Sequence, residues 1–116
     1  MNDYDELGEF RLEVNEQIEA IDSLIYNKLE SDPIEVKNAT LRFLHNVKGT
    51  AGMYQLERLE KYCHSNETDL EKVTFDIQTE KKLLDITYTI EHYVNNLNDK
   101  IFEKNIIFTP DIPLFA

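Results

Sequence analysis

At 116 residues, with 41% hydrophobic and 30% charged side chains, the chain is sized and composed for one soluble globular domain with a single core, not for a disordered polymer. Its formal net charge of −11 disfavours nucleic acid and anionic membrane surfaces as partners, because a duplex requires a basic patch. The single cysteine, Cys63, excludes an internal disulfide and fits a reducing compartment; without a signal peptide or an apolar run long enough to cross a bilayer, the cytoplasm is the expected location.

Three glycines, three prolines and no tryptophan leave few helix breakers. The first element is predicted over residues 3–30. Leu7, Phe10, Val14, Ile18, Ile21, Ile25 and Leu29 recur at steps of three and four, one stripe of an amphipathic helix. Asn2 or Asp3 can cap it, and Glu6, Glu9, Glu13, Glu16 and Glu19 read as its solvated faces. Asp32 followed by Pro33 is a start signal, an N-cap with proline at the first helical position. The second helix then runs to about Tyr54, with Leu44, Val47, Ala51 and Tyr54 on its core stripe. A third helix is expected from about Leu56 to Val73, on Leu56, Leu59, Cys63, Asn66, Leu70 and Val73. Asn66 interrupts that apolar stripe, so it lies near the end of the bundle or is hydrogen-bonded, since an unpaired buried amide is costly.

Thr74, Phe75 and Asp76 read as a turn. A fourth helix follows on Leu83, Ile86, Ile90, Tyr93, Leu97 and Ile101, ending near Lys104. Pro110 and Pro113 exclude helix from the last stretch, which would be a strap across the bundle, the start of a linker or a docking segment. The expected fold is all-α, an antiparallel four-helix bundle over residues 1–104, with residues 105–116 as a tail or linker start.

The chemistry-bearing residues lie beside the core stripes. His45 is one residue off the stripe of the second helix, with Lys48, Gly49 and Gly52 following on the same side. Glycine inside a helix costs about 1 kcal/mol relative to alanine, so two here need a reason. Close approach of a partner supplies one; close helix packing is the alternative, stronger for Gly52 than for Gly49. His64 and Glu67 lie one step off the stripe of the third helix and can face the same groove.

The run His45-Asn46-Val47-Lys48-Gly49-Thr50-Ala51-Gly52 resembles the signature of the histidine phosphotransfer (HPt) family, His-x-x-Lys-Gly followed by small residues. His64 and Glu67 match positions characteristic of its chemotaxis branch, the N-terminal phosphotransfer (P1) domain of the histidine kinase CheA. The resemblance extends to the order and lengths of the four helices. Two positions depart from the pattern: Gln55 stands where glycine is usual in the turn after the second helix, and Asn66 where an apolar residue is usual.

The resemblance implies a phosphocarrier rather than an enzyme. A kinase domain using ATP phosphorylates His45, and a response-regulator receiver domain takes the phosphoryl group onto an aspartate. The residues support the same chemistry. A neutral imidazole is a good nucleophile near physiological pH. A carboxylate that accepts from Nδ1–H fixes the tautomer and leaves the Nε2 lone pair free, and Glu67 is the candidate. Lys48 can offset the charge of the incoming phosphoryl group, and His64 can complete the network or tune Glu67. No glycine-rich phosphate loop or magnesium-nucleotide cluster is present in the sequence, so no cofactor is expected on this domain, with ATP and Mg supplied by the partners.

Other readings are a bundle metal site using His45, His64, Glu67 and Cys63, a free-standing phosphorelay shuttle, and an adaptor that has kept the fold and lost phosphotransfer. Cys63 alone reads as a small core residue.

Overall fold

The computed structural model of the chain describes residues 3–97, with side chains from Leu7 onward. Four α-helices are found there: α1 Asp3–Lys28, α2 Pro33–Met53, α3 Glu57–Glu71 and α4 Glu80–Asn95, with a single 3₁₀ turn, Ile77–Thr79, leading into α4. No strand occurs among the described residues. The fold is an all-α helical bundle. The expected caps at Asn2 and Asp3, Ile101 on the fourth stripe and the tail 105–116 lie outside the described residues.

Helix α1 carries the bundle. All seven of its stripe residues, Leu7 to Leu29, are buried. α2 and α4 pack on it, and α3 packs on α2. The pairings run antiparallel. Arg11 reaches Leu97, Asn15 meets Asn95 and Thr87 meets Asp22, so α4 descends as α1 rises. Lys37 reaches Val73 while Lys48 reaches Glu67, which sets α3 against α2 in the same sense.

The helix ends are closed by specific partners. Asp32 Oδ1 accepts from the Glu35 amide at 3.2 Å, with Pro33 at the first helical position. α3 ends at Glu71, short of Val73, where Lys37 Nζ donates to the carbonyls of Glu71 and Val73 at 3.2 and 2.7 Å. α4 ends at Asn95, well before the expected Lys104. There Arg11 donates to the carbonyls of Val94 and Leu97 at 3.3 and 2.8 Å, satisfying groups a longer helix would have paired internally. The residues 74–76 do turn the chain, but Phe75 is buried and lies under the Lys37 ammonium, 5.8 Å from ring centre to nitrogen. Asp76 then caps the 3₁₀ turn through Gln78 and Thr79.

The link between α2 and α3 is the tightest. The Leu56 amide donates to the Ala51 carbonyl at 2.8 Å and the Gln55 amide to that of Gly52 at 3.1 Å, a Schellman closure. Its left-handed position is Gln55, with φ 61°. Ala51 and Leu56, both fully buried, supply the apolar contact such turns favour. A side chain in this region costs about 1–2 kcal/mol that glycine avoids. Gln55→Gly should therefore stabilise the fold by about 0.5–1 kcal/mol after the added freedom of the unfolded chain is counted, seen as a higher urea midpoint at unchanged slope.

Candidate functional site

The site is built across α2 and α3. α2 runs on a buried face of Val36, Ala39, Phe43, Leu44, Val47 and Ala51, which fixes its rotation. His45 follows Leu44 and so emerges at the edge of that face, with a side chain 68% exposed. Lys48, one turn on, is only 23% exposed. α3 is anchored by Leu59, Tyr62, Cys63, Asn66 and Leu70, and Glu67 follows Asn66 at the corresponding edge, 19% exposed.

The two edges meet. Lys48 Nζ donates to Glu67 Oε1 at 2.8 Å, a charge-assisted bond in a part-buried setting. The other carboxylate oxygen, Oε2, stands 3.4 Å from His45 Nδ1. One carboxylate thus divides its oxygens between a cation and an imidazole. Lys48 holds Glu67 in place, and Glu67 faces the inner ring nitrogen. The His45 side chain as a whole stays largely exposed.

His64 is positioned differently from Glu67. It is exposed and lines an open groove of about 640 Å³ together with Lys48, Glu60, Lys61 and Ser65. Among the described residues no hydrogen bond or ion pair joins it to Glu67 or His45. It shares the groove through Lys48, not through the carboxylate.

The two glycines differ as well. A Cβ at Gly49 would meet nothing within 4 Å, so the helix is open there. A Cβ at Gly52 would lie 3.1 Å from Glu60 Oε2, so the Glu60 carboxylate rests on bare helix backbone. Glu60 was not expected at the site. Its spacing holds the signal, since positions 60, 64 and 67 lie along one side of α3.

Cys63 lies beneath, fully buried. Burial, with a smaller contribution from the nearby Glu67 carboxylate, pushes its thiol from 9.0 up to about 12, against the pull of Lys48. It is a neutral core side chain. Among the described residues no three His, Cys, Asp or Glu side chains gather closely enough to hold a metal ion. No helix among them is long and apolar enough to cross a membrane.

The model of the Hpt domain family matches residues 5–99, most of the chain. The chain belongs to the Hpt domain family. Hpt domains are phosphocarrier modules of two-component signalling and exchange phosphoryl groups with kinase and receiver domains. The matched span takes in α1 from Asp5 onward, the other three helices whole and both edges of the site. No solved structure matches the chain significantly.

The thiol supplies a test of the burial beneath the Hpt site. Native protein at pH 8 should react with iodoacetamide on the order of a hundredfold more slowly than urea-unfolded protein. The neutral thiol's contribution to stability is complete below pH 9.0 and is lost as pH rises through about 12, because the folded value is the higher one. Cys63→Val should soften the alkaline fall in stability, read from urea midpoints at pH 8 and above pH 9.

Proposed function

We propose that this Hpt domain is of the chemotaxis, CheA-like type, and that His45 accepts the phosphoryl group on Nε2. The observation that carries the reading is the division of the Glu67 carboxylate between Lys48 and His45 Nδ1. A carboxylate at Nδ1 favours the tautomer with its proton there, which leaves a lone pair on Nε2 of a largely exposed side chain. Nε2 attacks the γ-phosphorus of ATP held by a kinase domain. The N–P bond forms as the bond to the bridging oxygen breaks and ADP leaves. The ring gains positive charge in this step, and Glu67 stabilises it. A receiver aspartate then attacks phosphorus and returns the imidazole to its starting state. ATP and Mg are supplied by these partners, and the present domain is the carrier.

Lys48 serves first as the clamp on Glu67, and its charge stays one turn from the phosphorylated ring. Gly49 leaves the approach to His45 open. The positions of His64 and Glu67 support the chemotaxis assignment, since both match that branch. The loss-of-function reading draws no support from the two departures. Gln55 still closes its turn, and the Asn66 amide is hydrogen-bonded.

Incubation with the cognate kinase core and labelled ATP should give an acid-labile label on the wild-type chain and none on His45→Gln. Label retained by that variant would refute the assignment of the acceptor. Glu67→Gln should keep the melting temperature within a few degrees while slowing phosphorylation by about ten- to a hundredfold, since the ring loses its charged orienting partner. A wild-type rate in Glu67→Gln would remove the orienting role.

A further inference from the structure

Phosphorylation of His45 creates a charge that the resting site does not balance. A phosphoryl group carries about two negative charges near neutral pH. It would form on a ring whose Nδ1 already lies 3.4 Å from the Glu67 carboxylate. Lys48 is committed to that carboxylate: its Nζ donates to Glu67 Oε1 at 2.8 Å, and its side chain is only 23% exposed. Drawing Lys48 away to the phosphoryl group would leave a part-buried Glu67 without its cation, which is costly. The new charge calls for a second cation.

Arg42 meets that need. It stands on α2 one turn before His45, and residues three apart on a helix are neighbours, with Cβ atoms about 5–6 Å apart. Helical side chains lean toward the N-terminus, which carries the His45 ring back over the turn that holds Arg42. Arg42 is exposed, and among the described residues no hydrogen bond or ion pair engages its guanidinium. No Asp or Glu stands between Glu35 and Glu57, although these acids number 23 in the chain, so α2 offers Arg42 no carboxylate one turn away in either direction. From α1, Glu13 borders the crevice of Asn46 and Thr50, and its Oε1 already accepts from Gln17 at 3.1 Å. The other basic groups of α2 and α3 near these helix faces are placed differently. Lys37 is engaged by the carbonyls at the end of α3, while Lys61 and His64 share the groove with Lys48. A guanidinium left free on an acid-free helix, in a chain of net charge −11, is open to an anion.

We propose that Arg42 binds the phosphoryl group carried by His45, its guanidinium meeting the phosphoryl oxygens while Lys48 stays on Glu67. The proposal rests on the reading of His45 as phosphoacceptor. The ligand is a phosphoryl dianion, met first on the incoming donor and then on Nε2. A planar guanidinium donates two parallel N–H bonds to two oxygens of one phosphate, a geometry an ammonium lacks. During transfer the charge is spread over those same oxygens, so the contact also stabilises the transition state. Two cations of one helix are thus divided between two anions, Lys48 for the carboxylate and Arg42 for the phosphoryl group.

The experiment uses the whole chain and needs no protein partner. Phosphoramidate is the donor: Nε2 attacks phosphorus, the donor's P–N bond breaks and ammonia leaves. The phosphorus NMR signal of phospho-His45 is then titrated in wild type, Arg42→Gln, Arg42→Lys and Lys61→Gln. A bound cation favours the dianion, so the last phosphoryl ionisation should fall at lower pH in wild type, and Arg42→Gln should raise it by about 0.5–1 pH unit. Arg42→Lys keeps the charge and should titrate closer to wild type than to Arg42→Gln. Lys61→Gln removes the same charge from the groove and should leave the titration at its wild-type position. Arg42→Gln should also be labelled about three- to tenfold more slowly, with the Nδ1–H tautomer of neutral His45 unchanged in its ring nitrogen shifts, because Glu67 and Lys48 are untouched. A wild-type phosphorus titration in Arg42→Gln would overturn the role of Arg42 while leaving the phosphoacceptor reading intact. An equal shift in Lys61→Gln would overturn it as well, because the effect would then belong to net charge and not to a contact. Absence of label at His45 in wild-type protein would overturn both.

Discussion

Glu67 can meet Lys48 and His45 together only because α3 returns along α2 after a reversal of three residues. Tyr54, Gln55 and Leu56 turn the chain, and the amides of Gln55 and Leu56 take the carbonyls of Gly52 and Ala51. The fully buried pair Ala51 and Leu56 makes the reversal compact. The turn keeps a left-handed glutamine at φ 61° where glycine would be unstrained. That local cost is outweighed by core contacts on both sides of the turn. With the turn set, residues of α2 and α3 face one another in antiparallel order, and positions 48 and 67 are brought within bonding distance.

The electrostatic arrangement follows from this packing. A carboxylate 19% exposed needs partners, and Glu67 has one for each oxygen. Lys48, itself mostly covered, is held by the same bond. His45 remains exposed, which suits a residue that partners must reach. Cys63, directly below, is kept neutral by burial and by the carboxylate above it, so it adds no competing charge. In a domain with net charge −11, the groove beside the site combines Lys48, Lys61 and His64 with the single carboxylate of Glu60.

The same logic recurs away from the site. Arg11 and Lys37 bring cations to the carboxyl ends of α4 and α3, where unpaired carbonyls gather. Both come from a neighbouring helix, so they hold helix to helix as well as closing an end. Thr87 with Asp22 and Asn15 with Asn95 add further polar ties between α1 and α4. Directional bonds of this kind give the bundle one arrangement among several that burial alone would permit.

The sequence by itself determined the helices, their core faces and the residues beside them. Periodicity made Leu7 through Leu29 legible as one buried stripe, because a regular helix turns spacing directly into direction. It also marked Asp32–Pro33 as a start and placed His45, Lys48 and Glu67 at the edges of two stripes. Helix ends were less legible. The end of α4 is closed by Arg11, 83 and 86 positions before the Val94 and Leu97 carbonyls it reaches, and no local pattern carries that information. Tertiary structure alone decided how the edge residues are shared out: Lys48 takes Glu67, His64 turns to the groove, and Glu60 rests against Gly52. The reason is physical. Spacing fixes which side of its own helix a residue occupies, but a contact between helices depends on the rotation and offset of both, which packing and a few long-range hydrogen bonds set.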